Sequence, residues 1–500
     1  MADRKPRPSR HTEVERKFDV VESTVSPSFE GLSSVARVEI SPAQRLEAVY
    51  FDTPGHDLAA HRITLRRRTG GSDAGWHLKL PAGPDTRTEV RAPLDDGDDG
   101  EVPDALKDVV LAIVRNRPLV PVARIATDRT VNRLYDATGA AIAEFSDDTV
   151  TASAGNGDEQ RWREWELELA ENCSAGPEVL DRLANRLFDA GAVPAGHGSK
   201  LARVLAAGAG EDDAAQSTTS YGDPIHQAVA EQVDQLVEWD RAVRADVYDS
   251  VHQMRVTTRK IRSLLQASEG AFGITDDAWI LDELRQLASV LGVARDAEVL
   301  AERYENALDE LPDDLVRGPI RERLVEGAKR RYASGLRRSL IAMRSERYFH
   351  LLDALDALVA TQPPTTAPGE EEPAPVTIDS AYKRVRKAAK RASAAPEEDR
   401  DEALHRIRKG AKRLRYTAAA TGAGKVSDRA KSIQTLLGDH QDSVVSRTHL
   451  SQQAAAAHAA GEDTFTYGLL YAREDELARS ARQRLDDALK KLARSVRKTR

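Results

Sequence analysis

The 500-residue chain contains a single cysteine, Cys173, which excludes an internal disulfide framework and any cysteine-cluster metal site. No stretch approaches the ~18 consecutive apolar residues of a membrane-crossing helix, and no membrane partner is expected. Aromatic residues are sparse at 5%, and there is no excess of positive charge: 73 Lys and Arg stand against 81 Asp and Glu, a formal net charge of −8. That balance argues against a generic nucleic-acid coat, so nucleic acid is not the expected partner. The opening MADRKPRPSR is basic but leads into HTEVERKF, not into an apolar stretch, and no signal peptide is expected. A reducing cytoplasm is the expected setting. A glycine-rich loop of the P-loop type is also missing. What remains, 40% hydrophobic and 31% charged residues, is enough to bury cores. At ~100–200 residues per domain the length implies two to four domains.

The texture divides the chain. Up to about residue 207 short alternating runs recur, among them TEVERKFDV, RLEAVYFDT, HRITLRRR, GWHLKL, TRTEVRA, DRTVNRLY, AAIAEFSDDTV and WELEL. These read as strands separated by Gly/Pro/Asp turns, with helical segments at 103–115, 177–190 and 199–207. Residues 208–223, small, acidic and polar, read as a linker, and 224–498 as long Ala/Leu/Arg/Glu-rich helices. The proline-rich insert 361–377 splits the helical region into halves at 224–360 and 378–498.

In the strand region the charge is periodic. Glu13, Glu15 and Lys17 share one face of the first strand, with Val14 and Phe18 opposite. Glu166 and Glu168 are set against Trp165, Leu167 and Leu169, and Lys79 lies between Leu78 and Leu80. Arg66 pairs in parity with Arg68, Arg87 with Glu89 and Arg91, and Arg129 with Arg133. Either the sheet exposes one charged face to water, or the strands close into a barrel with that face inward. In the second case the carboxylates suit a hard cation, Mg²⁺ or Mn²⁺, and the Arg and Lys groups suit phosphate oxygens. His11, His56, His61 and His77 lack metal-ligand spacing and read as surface or supporting residues. Trp76, Trp162 and Trp165 read as packing on the outer wall, and Cys173 as a passive loop residue.

The two helical halves echo each other. His252, Arg255, Arg259 and Arg262 share offsets of 0, 3, 7 and 10 with His405, Arg408, Lys412 and Arg415. Such offsets fall on one helical face, giving a histidine and three cations in line. Downstream, LGVARDAEV and LGDHQDSVV align Leu291, Gly292 and Asp296 with Leu437, Gly438 and Asp442, which suggests a duplicated unit. YKRVRKAAKR adds six more cations within ten residues. Stacked like charges are mildly destabilising, a cost that a polyanion relieves.

EVERK at 13–17 matches the ExExK signature of CYTH domains, the triphosphate tunnel metalloenzymes. The resemblance runs over 9–207 through YFDTP, LRRR, WHLKLP, RTEVR, WELEL and SKLARVL. It implies an antiparallel eight-stranded β-barrel whose tunnel binds inorganic triphosphate with Mg²⁺ or Mn²⁺. Carried over by position, Glu13, Glu15, Asp148, Glu166 and Glu168 are the metal-side acids. Asp147 competes with Asp148, which is preferred because it shares a face with Glu144. Lys17, Arg66, Arg68, Lys79, Arg133 and Lys200 are the catalytic cations on the phosphate side, with Arg87 and Arg203 binding substrate. The helical region, 224–498, resembles the CHAD domain, a conserved-histidine helical bundle associated with polyphosphate. By that resemblance the two histidine-centred stripes, from His252 to Arg262 and from His405 to Arg415, contact polyphosphate across a pseudo-twofold pore.

The expected fold is thus α+β and multidomain, a tunnel barrel followed by an all-α bundle. The expected activity is metal-dependent triphosphate hydrolysis with polyphosphate binding. The competing readings are a non-catalytic polyphosphate receptor and an enzyme for another substrate: thiamine triphosphate, a nucleoside triphosphate, or ATP in an adenylyl cyclase.

Overall fold

The computed structural model describes residues 9–96, 100–155, 157–171, 173, 176–208, 224–267, 278–361 and 377–499. Most of the expected linker (209–223) and insert (362–376) lies outside the described residues. The chain forms two compact units, Met1–Ala288 with Leu340–Pro363, and Ser289–Ser339 with Pro364–Arg500.

The first unit holds the strands: β1 Ser9–Val20, β2 Arg37–Ile40, β3 Gln44–Asp52, β4 Thr64–Thr69, β5 Gly75–Pro81, β6 Thr86–Ala92, β7 Val120–Tyr135, β8 Ala141–Ala154, β9 Gln160–Leu169 and β10 Val193–Pro194. Eight of them run β1-β6-β5-β4-β3-β7-β8-β9 and close through β1–β9, all antiparallel, while β2 borders β7 and β10 borders β1. Sequence patterning missed β2, β10 and the first half of β7. That half begins VPVARIAT, and Pro121 sits where the β3–β7 register shifts, a bulge that tolerates the missing N–H.

Alternation decides what each wall of the barrel touches. Trp76, Leu78 and Leu80 of β5 and Val90 of β6 point outward and are buried under Leu106, Val110 and Ile113 from the two short helices after β6, Asp104–Val109 and Leu111–Val114, and their junction. On the far side Phe18, Phe145, Trp165 and Leu167 pack against Leu180, Leu183 and Leu187 of α1 (Pro177–Asp189). At about 1.5–3 kcal/mol for each large side chain removed from water, these flanking cores hold the polar-lined cylinder together. One end of the interior is itself apolar. Leu201 and Val204 of α2 (Lys200–Gly208) pack with Tyr50, Ile125, Val150 and Ala152, so the helix that carries Lys200 plugs the lumen.

The same unit includes α3 (Pro224–Arg244), α4 (Ser250–Ala267), the start of α5 (Trp279–Asp309) and α7 (Glu346–Ala360). Arg115, at φ 58°, directs a buried guanidinium onto Asp353 and Asp356 of α7. Asp108 takes Arg244 at 3.0 Å and Arg344 at 2.8 Å. The second unit holds the rest of α5, most of α6 (Gly327–Ala342), α8 (Ile378–Ser393), α9 (Glu397–Ala420), α10 (Gly424–Ala459) and α11 (Phe465–Thr499). Val385, Ile407, Leu414, Ile433, Leu437, Leu485 and Leu492 form its core at the spacing of one face per helix.

Candidate active site in the barrel lumen

Inward parity brings Glu13, Glu15 and Lys17 from β1 together with Arg66, Arg68, Lys79 and Arg87 from β4 to β6. Glu166 and Glu168 of β9, Arg133 of β7 and Lys200 of α2 line the same cavity, of about 270 Å³. Charges of both signs interdigitate. Lys79 Nζ lies 2.5 Å from Glu13, and Lys17 Nζ 2.9 Å from Glu15 and 2.5 Å from Glu166. Lys200 Nζ reaches Asp148 at 2.9 Å, Glu164 at 2.6 Å and Glu166 at 2.8 Å.

The Asp147/Asp148 choice has a structural answer. Asp148 is fully buried between Arg129 and Lys200, whereas Asp147 pairs on the other face with Arg163 at 2.6 Å. Arg133 stands at the edge, half exposed and paired with Glu144 at 3.1 Å. Arg203 is absent from the cavity lining: it turns to Asp19 at 2.6 Å and lies over the Trp162 ring. Trp162, expected on the outer wall, has the lumen parity of Glu164 and Glu166. Its ring packs on the apolar plug and its Nε1 donates to Glu164 at 2.6 Å, because the closed end of the lumen needs apolar filling. Trp76 and Trp165 do pack outside.

Sequence reasoning left out lumen residues that the same parity marks. Arg129 bridges Asp148 and Glu166 at 2.6 Å each. Glu89, 1% exposed, is held by His77 Nδ1 at 2.9 Å, and Glu164 completes a trio with Asp148 and Glu166 whose carboxylate oxygens lie within 4.8 Å of one another. Glu89 and Glu164 sit two residues, and Arg129 four, from an assigned one on the same strand.

The electrostatics are uneven. Burial raises the Glu15 carboxyl, but Lys17 and Lys79 outweigh it and hold the group at about 2. Lys17, Lys200 and Arg129 likewise overcome burial and keep Glu166 well below the ordinary carboxylate range. Glu168 has the opposite balance: burial and the charges of Glu13 and Glu15 push it up to about 7. Glu13 is also raised, by burial first. Arg68 is lowered to about 9 by burial and by the adjacent guanidiniums of Arg66 and Arg129.

These carboxylates fit a hard divalent cation by donor chemistry. The Asp148–Glu164–Glu166 trio is already compensated by Lys200 and Arg129, whereas Glu13 and Glu168 carry more negative charge than their cations offset. Glu15 brings an oxygen to that second group: its Oε1 is buried without a hydrogen bond, 3.2 Å from Arg87 Nε.

A family model for the CYTH domain matches residues 11–183, and one for the CHAD domain matches residues 227–451. This is a CYTH–CHAD protein. Two uncharacterized proteins of Mycobacterium tuberculosis, MT2285 of strain CDC 1551 and Rv2226 of strain H37Rv, are each 65% identical over 511 aligned residues, covering 99% of both chains. Among solved structures, PptA from Streptomyces chartreusis is 21% identical, with a TM-score of 0.44 over 54% of this chain and 100% of its own. The CHAD domain from the plant Ricinus communis is 22% identical, with a TM-score of 0.40 over 54% of this chain and 93% of its own. The match to the CYTH model makes the tunnel that of a triphosphate tunnel family.

In the CHAD part of the protein the two stripes fall in different units, each on a helix whose other face is core. On α4, His252, Arg255 and Arg262 are half-buried and Arg259 exposed, above a core of Met254, Ile261 and Leu265. On α9, His405, Arg408, Lys412 and Arg415 are half-buried. Arg408 lies against Gly438, where a Cβ would be 3.4 Å from its Nη2, and Arg415 donates to Gln434 at 3.3 Å. The cations of α8, from Lys383 to Arg391, are exposed and make no ion pair among the described residues.

Proposed function

We propose that the barrel hydrolyses inorganic triphosphate with Mg²⁺ or Mn²⁺, and that the helical stripes bind polyphosphate. The reading places the protein in the cytoplasm. The observation that carries it is the lumen itself, in which Lys17, Arg66, Arg68, Lys79, Arg87 and Lys200 surround buried glutamates. Guanidinium forks and ammonium groups suit the oxygens of a linear phosphate chain.

Glu13, Glu15 and Glu168 are the residues that would hold the metal, and the metal supplies charge neutralisation and orientation of the phosphates when bound. Lys17 and Lys79 meet phosphate oxygens from β1 and β5. Arg66 and Arg68 face the terminal phosphoryl, where they offset the negative charge that builds on its oxygens. Arg129 and Lys200 keep Asp148 and Glu166 ionised and fixed, so that the cationic side of the lumen does not collapse onto them. Water attacks the terminal phosphorus in line, the bridging P–O bond breaks, and pyrophosphate and orthophosphate leave.

A panel of tripolyphosphate, thiamine triphosphate, ATP and long-chain polyphosphate, with cyclic AMP measured separately, tests the reading. Steady orthophosphate release from tripolyphosphate with Mg²⁺ or Mn²⁺ is expected. Binding without turnover would leave the barrel a receptor.

A further inference from the structure

The hairpin turn between β4 and β5 sets an acid against one of the tunnel's own cations. Gly70 and Gly71 take φ of +80° and +73°, and a Cβ at Gly70 would stand 2.3 Å from the carbonyl oxygen of Arg45. Only glycine lets the turn press this closely on β3. From the other side His77, 1% exposed, holds the turn through its Nε2, 2.9 Å from the carbonyl oxygen of Asp73. Pinned at both points, the turn delivers the Asp73 carboxylate onto Nη2 of Arg68 and puts its own carbonyl oxygen 3.5 Å from the same nitrogen. The Arg68 side chain is 6% exposed and Asp73 42%, so the acid covers the arginine from the solvent side.

Arg68 needs an anion. It is crowded by Arg66 and Arg129, and among the described residues Asp73 is the one carboxylate that pairs with it. A carboxylate tethered on a short turn acts at an effective concentration on the order of millimolar or above. A single phosphate group has to beat that competitor alone. A triphosphate held at the same time by Lys17, Lys79 and Arg66 beats it with the energy of several contacts.

We propose that Asp73 is a specificity-determining residue of the tunnel: it occupies Arg68 as a built-in competitor, so that multiply anchored phosphate chains displace it and orthophosphate does not. This rests on the triphosphate reading of the lumen and adds a reason why the product does not remain bound.

The test uses the full-length chain and its Asp73→Asn and Asp73→Glu variants. Orthophosphate binding is read by calorimetry, and tripolyphosphate hydrolysis with Mg²⁺ by steady-state kinetics. Asp73→Asn is expected to tighten orthophosphate binding about ten-fold, the worth of one charge-assisted contact, and to strengthen product inhibition equally. The KM for tripolyphosphate falls with it, so the effect appears in KM and Ki more than in kcat, and Asp73→Glu restores the wild-type values. Unchanged orthophosphate affinity and KM in a folded Asp73→Asn protein would overturn the proposal. Tightened orthophosphate binding with no hydrolysis by any form would uphold the competition and remove the hydrolytic reading instead. Should Asp73→Asn not fold, Asp73→Ser is read by the same two measurements.

Discussion

Glu15 and Glu168 stand directly opposite each other across the β1–β9 ladder, yet their carboxyls sit at about 2 and about 7. The difference lies in their partners. Glu15 has Lys17 at 2.9 Å and Arg87 at 3.2 Å, while no cation pairs with Glu168 among the described residues and Glu13 and Glu15 repel it. A buried carboxylate without its counter-charge is costly, and a divalent ion bound beside Glu13 and Glu168, as proposed, would remove the cost.

The first prediction follows from that imbalance. Mg²⁺ or Mn²⁺ should raise the Tm of the chelator-treated protein, by about 2.7 kcal/mol of stability at a hundred times Kd. Glu168→Gln keeps the side-chain volume and removes the charge, so it should abolish both the metal-induced rise and the metal-dependent turnover while keeping the fold. A metal-induced rise of wild-type size in this variant would move the metal to the Asp148–Glu164–Glu166 trio.

A second prediction concerns Arg115. Its guanidinium is 6% exposed and grips two aspartates of α7 that are each about half exposed, so removal strands no buried charge. Arg115→Ala should cost about 2 kcal/mol, between the figures for exposed and buried pairs. Arg115→Gly loses the same contacts but relieves the φ of 58°, and should be less destabilised than a glycine normally is against alanine. Denaturant unfolding of both variants checks the order.

Much of the barrel was legible in the sequence, because a period of two writes each strand's inside and outside directly into the residue order. Val14 and Phe18 against Glu13, Glu15 and Lys17 needs no other information. The failures have a common origin. Arg129, Glu89 and Glu164 have the right parity, but parity says which way a side chain points and not how far along the barrel it lies. Trp162 was misplaced for the converse reason: an aromatic was assigned to the apolar wall, although its parity put it inside, where α2 makes the lumen apolar. Arg203 lies one helical turn from Lys200, close enough to share its face by spacing, yet Asp19 and the Trp162 ring draw it aside. In the helical half the stripes could be read from 3.6-residue spacing, while pairings such as Arg408 on Gly438 depend on which helices pack together.

The pH dependence of stability should expose His449. Burial and the nearby Arg331 hold its imidazole down to about 4, and its Nδ1 lies 2.9 Å from the Tyr304 hydroxyl. The unfolded chain binds this proton more readily than the folded one, so the stabilisation is complete above about pH 6.5 and is lost as pH falls toward 4. His449→Gln should flatten the curve between those limits, measured by denaturant midpoints along a pH series. An unchanged slope in the variant would place the acid sensitivity elsewhere.

The last prediction separates the helical stripes from the barrel. Polyphosphate carries about one negative charge per residue, and each cation that meets it releases condensed counterions, so affinity falls with salt. Taking about 0.7 for each contact, by analogy with single-stranded nucleic acid, four lost contacts lower the slope of log affinity against log salt by about three. The full-length variant with Arg255, Arg259, Arg408 and Lys412 all changed to alanine should therefore bind long-chain polyphosphate more weakly at low salt and converge with wild type at high salt. The lost side chains flank the buried faces formed by Ile261 and Leu265 on α4 and by Ile407, Ala411 and Leu414 on α9 and are not part of them, so the helices should persist and far-ultraviolet circular dichroism should not change. If the variant keeps the wild-type slope, the long chain is held elsewhere, and the exposed cations of α8 from Lys383 to Arg391 become the first residues to replace.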